Sequence, residues 1–122
     1  MVIIQGNSLL PISPLPGRTG NYYCDWDYLK QWWPEEDLPM ATKICYEESQ
    51  GEWWRVNDSL YGVKELSCGI WQINVLVHTG YTCEEMKDPI KSTLVAIKIQ
   101  KEGGWEAWRN SLQKIKNRYN LP

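Results

Sequence analysis

Four cysteines, Cys24, Cys45, Cys68 and Cys83, punctuate the middle of this 122-residue chain. An even number in so short a chain fits two disulfides in a small exported domain, where oxidising conditions preserve the bonds and a modest core needs them. Four cysteines allow about three pairings, and spacing does not choose among them. There is no Cys-x-x-Cys pair and His78 is the only histidine, so no zinc site is expected and no cofactor is implied. No apolar run nears the ~18 residues of a membrane span. The stretch "MVIIQGNSLLPISPLPGRTG" also lacks the basic start and long apolar run of a secretion signal, so export is expected either after removal of a signal or by another route.

Composition and charge narrow the ligand classes. The chain has 8 Trp and 7 Tyr but no Phe. Trp and Tyr combine an apolar body with a polar edge, which suits a groove that meets a flat polar ligand such as a sugar. The plainer account is that they are core and rim aromatics. The formal charge of −2 hides a split: residues 1–86 hold 5 Lys/Arg against 12 Asp/Glu, and residues 87–122 hold 8 against 3. The basic part suits either an anionic polymer or a solvated helix face. No basic run is dense enough for nucleic acid to be expected as a partner.

Residues 1–21, rich in Pro, Gly and Ser, read as an extended arm, and residues 22–122 as one domain. "DWDYLKQWW" (25–33) reads as a short helix stopped by Pro34. Asp37 is expected to cap a helix over about 38–50, with Pro39 tolerated in its first turn. Residues 51–77 are rich in Trp, Val, Ile and Tyr between turn signals, and predict a small irregular sheet. "TCEE" (82–85) is a capping box. Asp88 and Pro89 open a helix to about Glu102, which Gly103 and Gly104 end. A last amphipathic helix is expected over 105–119, with Trp105, Trp108, Leu112 and Ile115 on one stripe. The expected fold class is therefore α+β, mainly α.

The helix from Leu38 separates two adjacent glutamates in "CYEESQ" (45–50). At about 100° per residue, the apolar arc of Leu38, Met40, Ala41, Ile44 and Cys45 is centred near 290°, and Glu48 falls at about 280°. Glu47 falls at about 180°, at the arc's edge, one turn after its potential partner Lys43. Glu47 thus has a surface reading. Glu48 must either find partners in the core or stand at the wall of a cleft. There, partial desolvation raises a carboxyl's pKa and lets it donate a proton near neutral pH.

The order "ES" (48–49), a β-like insert, then "GIWQIN" (69–74) resembles the lysozyme superfamily, most closely the catalytic domain of soluble lytic transglycosylases and related phage lysozyme-like domains. "WWPEEDLPMATKICYEES" is similar to the family's lead-in and catalytic helix, "INVLVH" to the exit from the sheet, and "DPIKSTLVAIKIQKEGGWEAW" to a later helix with a Gly-Trp ending. The resemblance spans about residues 26–109 and implies a lysozyme-like fold with a small irregular sheet after the catalytic helix. It implies peptidoglycan as the partner, with cleavage of the β-1,4 bond between N-acetylmuramic acid and N-acetylglucosamine. It also implies Glu48 as catalytic acid and Ser49, Ser67, Gln72 and Asn74 as substrate-binding residues. In an alternating strand Gln72 and Asn74 would share a face with Ile70. Amides holding the sheet together would give the same pattern. A monomer acting at the cell wall is expected, extracellular, periplasmic or virion-associated.

Three departures refine this expectation. Ser67 stands where animal-type lysozymes carry an aspartate, so the second carboxylate of a retaining glycosidase is missing and a transglycosylase is favoured. Glu65, two residues earlier, substitutes only if the chain bends differently. Ser92 and Ile99 stand where transglycosylases often carry Asn and Tyr, leaving Tyr61 or Tyr81 as replacements. With the family named, a Cys45–Cys68 bridge tying the catalytic helix to the sheet is expected, leaving Cys24–Cys83. The alternatives are a true hydrolase of lysozyme or chitinase type, or a non-catalytic glycan-binding module on the same fold.

Overall fold

The computed structural model describes residues 22–60 and 62–122, so the expected N-terminal arm and Tyr61 lie outside the described residues. A 3-10 turn (Tyr22–Cys24) leads into the short helix α1 (Trp26–Leu29), and the chain turns before Pro34. Helix α2 (Leu38–Ser49) starts where expected, with Pro39 in its first turn. Asp37 does not cap it through its side chain. The preceding residues Glu35–Asp37 already wind as a 3-10 turn, so Asp37 holds helical dihedrals instead of the extended ones a cap adopts. Gln50, in the left-handed conformation at φ 56°, ends α2.

Strands β1 (Val56–Leu60), β2 (Val63–Cys68) and β3 (Ile73–Asn74) form an antiparallel sheet in the order β1-β2-β3. Asn57 and Asn74 both pair with Ser67, and a bulge lies between Asn57 and Ser59. Helix α3 (Cys83–Lys87) opens on the full Thr82–Glu85 capping box. Helix α4 (Pro89–Gly103) is capped by the Asp88 carboxylate, which accepts from the Ile90 and Lys91 amides at 2.9 and 3.2 Å. The final segment is divided: Gly104–Trp108 is a 3-10 turn, and helix α5 (Arg109–Tyr119) follows. The expected stripe spans both, with Trp108, Leu112 and Ile115 buried.

Half of the 8 tryptophans pack together. The Trp33, Trp71, Trp105 and Trp108 rings form a chain of contacts with centroid separations of 5.2–6.2 Å. The indole N–H of Trp71 donates to Thr93 Oγ1 at 2.9 Å, and that of Trp108 to the Trp71 carbonyl at 2.8 Å. The same rings that supply apolar area therefore also fix α4 and the 3-10 turn before α5 to the turn after β2.

The disulfides are Cys24–Cys45 and Cys68–Cys83, not the expected Cys45–Cys68 and Cys24–Cys83. Side chains alternate along a strand. Ser67 faces the cleft described below, so Cys68 points to the sheet's other side, where α3 lies. Cys45 instead meets the N-terminal 3-10 turn. Among the described residues, no helix is long and apolar enough to cross a membrane.

Candidate active site

A cleft of about 700 Å3 runs between the C-terminal end of α2, the inner face of the sheet and the start of α5. Glu47 and Glu48 come from α2; Asn57, Ser59, Glu65, Ser67, Gln72 and Asn74 from the sheet and its turn; Trp108, Asn110, Ser111 and Lys114 from the C-terminal segment. Val77, His78 and Ile99 line it as well. The wall is mostly polar, and of the aromatic surplus noted in the sequence Trp108 alone is among its lining residues.

Glu48 is half-buried on the packed side of α2, where the wheel put it, between the buried Ile44, Cys45 and Ser49. Burial pushes its carboxyl up to about 7. The Ser111 hydroxyl donates to Glu48 Oε2 at 2.6 Å and pulls the other way, as does the charge of Lys114, while Glu65 and Glu47 add to the rise. The result is a carboxyl that carries a proton for much of its time near neutral pH and stands in contact with a cleft. Such a group can donate a proton and take one back.

Glu47 has a different partner from the one expected. Its carboxylate pairs with Arg118 of α5 at 2.7 Å and is 14% exposed. Lys43 instead donates to the Pro39 carbonyl at 3.3 Å and lies 5.0 Å from the centre of the Tyr119 ring. The pairing turns on α5 packing beside α2, which no spacing within α2 reveals.

The expected substrate-binding residues divide. Ser67 and Asn74 line the cleft from paired strands. Asn74 Oδ1 accepts from the Leu66 and Leu76 amides at 3.1 Å, leaving its amide NH2 as a donor for a ligand. Gln72 also lines the cleft, but its polar ends are engaged: Nε2 donates to the Arg55 and Gly69 carbonyls, and Oε1 accepts from Asn57 Nδ2 at 2.6 Å. Its φ of 48° places it in a turn, so the expected alternating strand from Ile70 to Asn74 is not formed. Ile70 enters the core while Gln72 and Asn74 face the cleft.

Ser49 does not reach the cleft. It is fully buried, donates to the Ile70 carbonyl at 2.8 Å and accepts from the Gly51 amide at 3.1 Å. It latches the end of α2 to the turn after β2, the connection expected of a Cys45–Cys68 bridge. Ile99 lines the cleft, whereas Ser92 is buried with its hydroxyl on the Pro89 carbonyl. Tyr81 is half-buried against the core, away from the cleft walls.

Ser111, which lines the cleft and donates to Glu48, is the contact that the sequence did not single out. It lies three residues after Trp108 and four before Ile115, on the buried stripe of the last helix. A polar residue on an apolar stripe is the same signal that singled out Glu48. His78 also lines the cleft, and burial lowers its pKa against a smaller opposing effect of Glu102. Among the described residues, no cluster of three His, Cys, Asp or Glu side chains is arranged to hold a metal. No family model, curated protein or solved structure matches this chain.

Proposed function

We propose that the protein is a peptidoglycan-cleaving enzyme on a lysozyme-like fold, with Glu48 as its single acid/base. The observation that carries the reading is the Glu48 carboxyl, raised to about 7 and standing in a polar cleft of about 700 Å3. The element order adds support: a helix ending in Glu48-Ser49, two paired strands, "GIWQIN" carrying a turn and the third strand, and then further helices. In this scheme Glu48 protonates the leaving glycosidic oxygen, and the substrate's own N-acetyl group stabilises the sugar cation. The Glu48 carboxylate then takes the C6 hydroxyl proton as that oxygen closes a 1,6-anhydro ring. One residue acts as acid and then as base, which calls for a pKa close to the working pH. The Ser67 hydroxyl and the Asn74 amide suit hydrogen bonding to acetamido and hydroxyl groups across the cleft from Glu48.

Glu65 favours a second reading, hydrolysis, because it lines the same cleft and is near enough to Glu48 to raise its pKa. A second carboxylate is what a retaining hydrolase uses. Product masses separate the two. Chain ends lighter by one water are anhydro sugars, and reducing ends mean hydrolysis. The assignment itself is tested by Glu48→Gln, which keeps shape and removes the acid. Clearing of purified peptidoglycan should fall by about 100-fold or more. A variant that clears at the parent rate refutes the reading, and binding without any turnover by the parent protein would mark a non-catalytic glycan-binding module.

A further inference from the structure

A second groove, of about 310 Å3, lies on the far side of α2 from Glu48. Thr42, Lys43 and Tyr46 from α2, Asp25 and Trp26 from the segment entering α1, and Arg118 and Tyr119 from the end of α5 line it. On the wheel Tyr46 stands about 160° from Glu48, so the two sites occupy opposite faces of one helix. Three of its aromatic side chains are open to solvent: Trp26 is 45%, Tyr46 46% and Tyr119 51% exposed. Leaving three large rings uncovered in one groove is unfavourable unless something covers them.

A disulfide braces the groove. Cys24, which lines it, is bonded to Cys45, with Trp26 two residues beyond one cysteine and Tyr46 one beyond the other. The bond therefore ties together the two backbone segments that carry these rings before any ligand arrives, which lowers the entropy cost of binding. Lys43, over the Tyr119 ring, and Thr42 and Asp25 supply polar groups among the apolar faces. Flat rings with a few polar groups match a pyranose, whose C–H faces are apolar and whose edges carry hydroxyls.

We infer that the Trp26–Tyr46–Tyr119 groove is a second glycan-binding site, which holds a strand of peptidoglycan on the back of the catalytic helix while the cleft acts on the polymer. The choice of polymer rests on the proposed function; the groove itself does not. Two sites on one polymer raise the effective concentration of substrate at the cleft.

The test uses the full chain and insoluble peptidoglycan stripped of protein. Retention is measured in the Glu48→Gln background, so that binding is read without turnover. Trp26→Ala and Tyr46→Ala, each checked by its thermal melt, should weaken retention roughly fivefold, while Trp26→Tyr, which keeps a stacking ring, should preserve it. With Glu48 intact, the alanine variants should clear polymer more slowly and cleave a short soluble fragment, which fills only the cleft, at the parent rate. Unchanged retention in both alanine variants, or its loss in Trp26→Tyr, overturns the inference. A parent that clears peptidoglycan alongside alanine variants that retain it fully refutes the groove alone. A parent that retains but never clears refutes the catalytic reading alone.

Discussion

Protonation of Glu48 sets two measurable pH dependences. The first belongs to the proposed mechanism: there the acid must hold its proton at the start of each turnover, so activity should fall as pH rises through about 7. The second is stability. The folded carboxyl titrates near 7 and the unfolded one near 4.5. Below 4.5 both states are protonated and the buried group imposes no penalty. Between 4.5 and 7 the unfolded chain releases a proton that the folded one retains, so stability falls with rising pH and then levels off. Glu48→Gln removes this dependence. In urea denaturation it should stabilise the protein at pH 8 relative to pH 4 by on the order of 2–3 kcal/mol; equal effects at the two pH values would mean that the carboxyl is not desolvated. Ser111→Ala acts on the same equilibrium. The Ser111 hydroxyl favours the ionised form, so its loss should move the alkaline limb of the pH–rate profile upward. A downward shift would mean that the hydroxyl favours the neutral acid.

Three elements meet at the turn after β2, and the turn allows little change. Gly69 has φ of 82°, and a Cβ there would collide with the backbone carbonyl of Met86 in α3. Its amide also donates to the Arg55 carbonyl at 2.9 Å. Gly69→Ala thus combines left-handed strain with a backbone clash and should cost about 3 kcal/mol or more, read from the shift in urea midpoint. A near-neutral result would require β2 and α3 to separate freely. The next residues continue the same role: the Ile70 carbonyl takes the Ser49 hydroxyl, the Trp71 carbonyl takes the Trp108 indole, and Gln72 reaches back to Arg55. "GIWQIN" is thus a junction first, and of its side chains Gln72 and Asn74 face the cleft while Ile73 packs in the core.

At the scale of the molecule, the two disulfides close successive short loops instead of spanning the cleft. Cys68–Cys83 links residues 15 apart. By constraining the unfolded chain it should contribute about 3 kcal/mol, and the Cys68→Ala/Cys83→Ala double variant should lose that amount in equilibrium unfolding. The α2 side of the cleft is then joined to the sheet by hydrogen bonds and packing alone, through Ser49 and the tryptophan chain. The charge split follows the same geometry. Basic residues of α5 face the acidic half, with Arg118 on Glu47 and Lys114 beside Glu48 in the cleft.

Local rules were enough for much of this. The capping box at Thr82, the Asp88-Pro89 helix start, the extent of α2 and the burial of Glu48 all depend on neighbours within a turn or two of helix, which one sequence contains. The α+β class followed from the same local patterns. What the sequence left open depends on contacts between residues far apart in the chain. Cys45 and Cys68 pair according to which face of helix and strand each occupies. Glu47 finds Arg118 71 positions away, and Glu48 receives the Ser111 hydroxyl from 63 positions away. Residue types and spacing placed one carboxyl on a buried face; only the packing of α5 against α2 decided what it touches, how strongly it holds its proton, and that a second, aromatic groove opens behind it.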